Sequence, residues 1–515
     1  MKRMKKIMAL MLAAIMMMAM SVTAFAAGTT CSLTVNAKGG QDLKGQTINL
    51  YKLFDVTESG TTESKNYAYT VNTQYKAALA NVLSIPETSK DEEFAKAVAD
   101  KTATIQQFAN DFTAKALTDN LGATKTSEKI AESKTSYEFT GLDAGYYLVY
   151  VTGGKEIQSS LVTVDETTNT VNLKTEAPSI EKTADKTTVN IGDVVTYTVK
   201  GSIPDTTGYA QYVYKIHDEL STGLDFVNDA TGTALGEGAT TVNVKVAFGE
   251  GVTDAGTAPA TATLSGEGNR QMVLDLSEWV RTNQANNKGK EFTVTYYAKV
   301  NKAAVVTEKN KAQLEYGNKP GETTTTTPSE AKTPTYPLDI LKVKKDSTPE
   351  EILADAHFTL YASTTEGAID ESKPIKVTKD AEGKYSYAAD QNAADATDDM
   401  VTVESKIDGQ GYNLHINGLA AGTYYLKETK APEGYNKLTD AIKVTITKST
   451  TANENDWTLT VDKGTVDGKI VKVENSTGSL LPSTGGRGAI AFAVIAALLV
   501  FGVAVSFIRD KRKEA

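Results

Sequence analysis

The stretch Thr293-Val294-Thr295-Tyr296-Tyr297-Ala298-Lys299-Val300 alternates polar and apolar side chains almost residue by residue. A helix scatters such a pattern around its circumference. A strand sorts it cleanly, because successive side chains point to opposite faces. Thr, Val, Tyr and Gly recur through most of the chain, so the expected class is mainly β, with half-buried strands packed as sandwiches. Cys31 is the sole cysteine, and one thiol makes no internal disulfide. Whatever rigidifies this chain is not sulfur chemistry.

The two ends predict export. Lys2, Arg3, Lys5 and Lys6 precede an apolar run from Ile7 to Met20, and Ala24-Phe25-Ala26 is a small-x-small cleavage site. This predicts a signal peptide over 1–26, cut between Ala26 and Ala27. Ala27-Gly28-Thr29-Thr30 before Cys31 is no lipobox, which excludes a lipoprotein. At the other end, 489–508 is uninterrupted apolar or small sequence, about the ~20 residues a helix needs to cross a bilayer. The basic tail 509–515 is expected to stay cytoplasmic, leaving everything upstream outside. The whole chain carries −10; without the four leader cations and the net three charges that follow Thr484, the mature piece carries about −17. That balance favours solubility and excludes nucleic acid as a partner.

Two segments read as linkers: Thr175-Glu176-Ala177-Pro178-Ser179, and Asn318-Lys319-Pro320-Gly321-Glu322 with five threonines and Pro328, Pro334 and Pro337 behind it. They predict domains over 27–175, 176–335 and 336–476. Within the first, Thr73 to Leu117 favours helix, with Ile105, Phe108, Phe112 and Ala116 on one face, a local packing surface. Catalysis on other molecules has little support. His217, His357 and His415 lack metal-ligand spacing, Cys31 has no nearby base, and Gly236-Glu237-Gly238 lacks a phosphate-loop lysine. No metal, no cofactor and no enzyme activity are expected, beyond self-modification.

An internal repeat links the outer domains. Gly141-Leu142-Asp143-Ala144-Gly145-Tyr146-Tyr147-Leu148-Val149-Tyr150 parallels Gly418-Leu419-Ala420-Ala421-Gly422-Thr423-Tyr424-Tyr425-Leu426-Lys427-Glu428. Both domains resemble the B-type repeat of collagen adhesins, an immunoglobulin-like sandwich, and 425–435 is similar to the E-box of Gram-positive pilins. Residues 181–318 resemble the middle domain of backbone pilins, of the A type. The pentad Leu481-Pro482-Ser483-Thr484-Gly485, ahead of the apolar span and basic tail, resembles a sortase sorting signal. The family implied is that of LPXTG-anchored major pilins, or fimbrial subunits, with tandem immunoglobulin-like (CnaA/CnaB-type) domains, the first bearing a helical insertion.

The resemblance implies lysine–asparagine isopeptide bonds, formed without an enzyme. Attack on an amide needs a neutral lysine, which burial favours, and a carboxylic acid kept protonated, which burial also favours. Fixed proximity is worth roughly 7–11 kcal/mol of the barrier. The expected sites are Lys342–Asn475 with Glu428 as the promoting acid, and Lys182 with Asp218 and either Asn310 or Asn318. The first domain is expected to form no bond: alignment sets Tyr150 against Glu428, and strand 32–36 has no lysine. The resemblance further implies sortase cleavage between Thr484 and Gly485 and transfer of the Thr484 acyl group to Lys174 of an identical subunit, at the position of the pilin-motif lysine. A head-to-tail contact of this kind does not close, so it builds a filament. The implied function is the backbone of a pilus supporting adhesion, finally attached to peptidoglycan. Its expected partners are pilin-specific and housekeeping sortases, identical subunits, ancillary pilins and host ligands. The alternative is a wall-anchored adhesin or ancillary pilin that binds a host or surface ligand.

Overall fold

The computed structural model describes residues 30–477 except 62, 63, 153, 155, 156, 175, 207, 208, 210 and 320, together with 496, 497 and 500. Side chains of 58–65, 318 and 319 are also outside the described set. The signal peptide, the 481–485 motif, the basic tail and nearly all of the apolar span therefore lie outside it. Among the described residues, no helix is long and apolar enough to cross a membrane. The described residues fall into two compact units, divided between Thr335 and Tyr336. Each is built of β-sheets packed face to face, as the alternating sequence requires.

The first unit begins with a three-stranded sheet in the order Ser136–Leu142, Cys31–Asn36, Thr168–Asn172, the last two parallel. It packs on a sheet ordered Ser64–Val71, Ile48–Thr61, Gly145–Val151, Ser160–Val164. The helical stretch covers the far face of this second sheet as three helices, Lys76–Leu83, Asp91–Asp100 and Ile105–Thr118. One continuous helix is prevented by left-handed Ser84 and by Pro86, which lacks an amide proton. Because this sheet is covered on both faces, Gly145–Val151 is buried at every position and shows no alternation. Leu33, Leu50 and Val149 fill one core, while Tyr51, Phe54, Phe108, Phe112 and Leu148 fill the other. Phe112 is fully buried, edge-on to Tyr51 at 6.0 Å and to Tyr75 at 5.9 Å. Phe112→Ala should cost this region about 3–5 kcal/mol of unfolding free energy. A chemical denaturation midpoint equal to wild type would contradict that packing.

The rest of the first unit is a second sandwich. One sheet runs Leu224–Val227, Glu291–Val300, Val194–Ser202, Glu181–Ala184; the other contains Gln271–Asp275, Tyr214–Leu220 and Lys309–Lys319 side by side. Glu291–Val300 alternates in burial as its sequence predicts. The threonine-rich segment read as a linker is not one throughout. Glu322–Thr325 and Ser329–Lys332 both pair with Lys309–Lys319. Threonine's branched side chain suits a pleated surface, and the exposed edge of that strand offers the partner.

In the second unit, Leu414–Leu419, Tyr336–Lys344 and Ile470–Asn475 lie adjacent, with the first and last strands of the domain parallel. The facing sheet runs Ile369–Ile375, His357–Ser363, Gly422–Lys430, Ile442–Thr447, Thr458–Val461. The strand order Ser136–Leu142, Cys31–Asn36, Thr168–Asn172 repeats here as Leu414–Leu419, Tyr336–Lys344, Ile470–Asn475, so the internal repeat is one of topology too.

Candidate functional site

Lysine is almost never fully buried. Among the described residues, Lys182 and Lys342 are the two lysines that are, and each has a buried carboxyl and a buried asparagine beside it.

In the second unit, Lys342 lies opposite Val473 on the neighbouring parallel strand, and Asn475 lies two residues further on. The two side chains are thus diagonal neighbours on the inner face of one sheet. Glu428 reaches them from the facing sheet, opposite Phe358. Glu428 Oε1 lies 3.0 Å from Lys342 Nζ, off the axis of a directed hydrogen bond, and Oε2 accepts from Asn475 Nδ2 at 3.0 Å. Oε2 also accepts from the Leu438 amide at 2.7 Å, and Asn475 Nδ2 donates to the Asn436 carbonyl at 2.7 Å. These bonds hold the carboxyl between amine and carboxamide. The ring of Phe358 closes the site, 5.5 Å from the amine. Burial pulls the Lys342 amine below the usual lysine range, against the opposing pull of Glu428.

In the middle sandwich, Lys182 and Tyr296 project from one sheet, Asp218 and Asn310 from the other. Lys182 Nζ donates to Asp218 Oδ2 and to the Tyr296 hydroxyl, which itself donates to Asp218 Oδ2. Asn310 Nδ2 donates to the same hydroxyl at 3.4 Å, and Asn310 also interacts with Asp218. Burial lowers the Lys182 pKa to about 8, and burial raises that of Asp218 although Lys182 opposes it. Both shifts move the pair toward its neutral form. Asp218 Oδ1 and Asn310 Oδ1 are buried without hydrogen-bond partners. An ionised carboxylate only accepts, whereas a protonated one also donates. The backbone of Asn318 lies further along the same strand, beyond the pairing with Tyr214–Leu220; its side chain is outside the described set.

Tyr296 escapes sequence reasoning, since a tyrosine at a buried alternating position reads as core. The signal present was its parity with Val294 and Ala298, which places it inward.

The first domain lacks such a cluster among its described residues, and its register explains why. Ile48 pairs with Val151 as Phe358 pairs with Glu428, so Val151 occupies the acid's place, one residue beyond the Tyr150 given by alignment. Leu33↔Phe139 corresponds to Leu338↔Ile416, which puts Ala37 where Lys342 stands. The equivalent tyrosines are Tyr147 and Tyr424, each donating to the carbonyl four residues back, Asp143 at 2.9 Å and Ala420 at 2.8 Å. Lys174 is exposed just after the Thr168–Asn172 strand, and its Nζ donates to Gln106 Oε1 at 2.7 Å. Gln106 is held in turn by donating to the Ser159 carbonyl at 2.8 Å and to Asn110 Oδ1 at 2.9 Å. Ala26, Ala27, Thr484 and Gly485 lie outside the described residues.

Residues 339–461 match the family described as "SpaA: Prealbumin-like fold domain". No curated protein matches the chain. Among solved structures, it is similar to the full-length major pilin SpaD from Corynebacterium diphtheriae, at 18% identity and a TM-score of 0.41, over 87% of this chain and 98% of that one. It is also similar to the major pilin SpaA of the same organism, at 18% identity and a TM-score of 0.43, over 87% and 100%. The fimbrial protein FimP from Actinomyces oris is 19% identical with a TM-score of 0.49, over 89% and 100%. Residues 339–461 thus match the SpaA prealbumin-like domain family, and the chain as a whole is similar to solved major pilins.

Proposed function

We propose that this chain is the backbone subunit of a covalently assembled surface pilus, stiffened by lysine–asparagine isopeptide bonds within domains 176–335 and 336–476. The observation that carries the reading is the pair of buried clusters, Lys182–Asp218–Asn310 and Lys342–Glu428–Asn475. A buried charged pair does little for stability by itself, since desolvation cancels most of its attraction. Placed against a carboxamide, the same groups are reactants. The neutral Nζ adds to the asparagine Cγ, the Nζ–Cγ bond forms, the Cγ–Nδ2 bond breaks, and Nδ2 leaves as ammonia with a proton taken from Nζ. The acid moves that proton and polarises the carbonyl. In the C-terminal domain this joins first and last strands of one sheet; in the middle domain it joins the two sheets.

Such bonds suit a load-bearing role, because tension on a chain of subunits then meets covalent links instead of strand pairing alone. The order of the chain fits it as well: an export signal, rigid domains, an exposed Lys174, and the 481–485 signal whose Thr484 carries the acyl group. A pilin-type sortase would cleave after Thr484 and join it to Lys174 of the next subunit, and a housekeeping sortase would pass the last subunit to peptidoglycan. Adhesion to a host surface would follow from the filament's reach.

The test is the intact mass of the purified mature chain. It should fall two ammonia molecules short of the sequence mass, with peptide mapping placing the links at Lys182–Asn310 and Lys342–Asn475 and none in 27–175. An unmodified mass would sink the reading.

A further inference from the structure

The geometry points to Tyr296 as a catalytic residue of the middle-domain bond, its hydroxyl carrying the proton from the Lys182 amine to the departing Asn310 nitrogen. This deepens the reading above and rests on Lys182 and Asn310 being the linked pair.

The two clusters solve one problem differently. Amide exchange needs a proton moved from the attacking nitrogen to the leaving one. In the C-terminal domain a single carboxyl spans the gap, with Glu428 Oε1 at 3.0 Å from the amine and Oε2 bonded to the carboxamide nitrogen at 3.0 Å. Asp218 is one methylene shorter than a glutamate. In the middle domain Asp218 interacts with Lys182 and Asn310 as well, but the Tyr296 hydroxyl, which can accept and donate at once, also meets both nitrogens. Lys182 Nζ donates to the Tyr296 oxygen, and Asn310 Nδ2 donates to it at 3.4 Å. The phenol donates onward to Asp218 Oδ2, so it is tied to the acid as well.

The ring is held for this task. Tyr296 is fully buried, stacked on Tyr197 at 5.8 Å and tilted against Phe226 at 6.0 Å. Burial and the neighbouring Asp218 push its ionisation well above the ordinary tyrosine range. It therefore stays a hydroxyl, able to accept and donate at once.

In the step itself, Nζ bonds to Asn310 Cγ and passes one proton to the phenol oxygen. The phenol passes its own proton to Nδ2, Cγ–Nδ2 breaks, and ammonia leaves. Tyr296 and Asp218 end as they began, and no other reactant is consumed. Tyr197 lies equally close to the amine, with its ring centroid 4.7 Å away, but its hydroxyl faces Thr333 Oγ1 at 3.3 Å. It packs the site without joining the relay.

The test follows both bonds by peptide mass mapping in the full mature chain made by cell-free translation, over time after synthesis. Tyr296→Phe should slow the Lys182–Asn310 link by about 10²-fold or more, the usual size of a lost proton-transfer group. The Lys342–Asn475 link in the same molecules should form at the wild-type rate. Tyr197→Phe should leave both rates unchanged. Linking of Tyr296→Phe at the wild-type rate, or equal slowing by both substitutions, overturns the relay. Should Tyr296→Phe fail to fold, a chain made with fluorotyrosine keeps every hydroxyl but makes each more acidic. Its middle-domain rate must then change while its C-terminal rate does not, and an unchanged middle-domain rate overturns the relay too. A wild-type chain lacking the Lys182–Asn310 link overturns the parent reading, and the relay with it.

Discussion

Glu428→Ala is expected to keep the ammonia that the wild-type C-terminal domain loses, so that the variant domain has its full sequence mass, and to lower its unfolding temperature by on the order of 15 °C or more. Two losses combine. Without the acid the Lys342–Asn475 bond does not form, and a cross-link closing so long a span is worth about 5 kcal/mol by the chain-entropy account. The substitution also strands Lys342, whose amine faces Glu428 Oε1 in a site with no solvent exposure. Leaving that buried amine without its partner costs about 1–3 kcal/mol. Asn475→Ala separates the terms, because it removes the bond and keeps the amine beside its carboxyl. Its domain should melt between wild type and Glu428→Ala by calorimetry. If Glu428→Ala keeps both the ammonia loss and the wild-type melting temperature, Glu428 is not the promoting acid.

How much of this was legible follows from the range over which each signal acts. Alternation is local, so Glu291–Val300 could be read as a half-buried strand directly. Gly145–Val151 could be placed only through its repeat, because helices on one side and a sheet on the other erase the period. The cluster at Lys342, Glu428 and Asn475 was legible through the E-box resemblance, which supplied the acid, and through strand parity. Parity alone is fragile, since a one-residue slip turns a side chain to the other face. The Tyr150 alignment shows this: the cross-strand register assigns the acid's place to Val151, and only the ladder reveals it. Tyr296 and Gln106 were not legible. Each acquires its role from a contact with a residue distant in sequence, Tyr296 with Lys182 and Gln106 with Lys174. Neither carries a local mark that separates it from ordinary core or ordinary helix surface.

The second large effect falls on assembly. In a Gram-positive host producing this chain as its pilus subunit, Lys174→Ala should abolish the ladder of covalent polymers on a denaturing gel of wall extracts, leaving monomer alone. The surroundings of Lys174 differ from those of a neighbouring lysine. Lys38 Nζ, at the same end of the first domain, is paired with the Glu176 carboxylate, whereas Lys174 Nζ meets the neutral amide oxygen of Gln106 at 2.7 Å. An amine that must attack an acyl-enzyme has to leave its partner, and a neutral amide holds it less firmly than a carboxylate does. Gln106 belongs to helix Ile105–Thr118, so the helical insertion presents the amine from a packed element and not from a free linker. Lys174→Arg is the decisive companion. It keeps the positive charge and the means to bond Gln106, but a guanidinium cannot accept the Thr484 acyl group at physiological pH. Both substitutions should give monomer while the intramolecular links at Lys182 and Lys342 form as before, since those sites share no group with Lys174. A ladder that persists in Lys174→Arg would move the junction to another lysine; a ladder lost only in Lys174→Ala would make Lys174 a docking contact and not the acceptor.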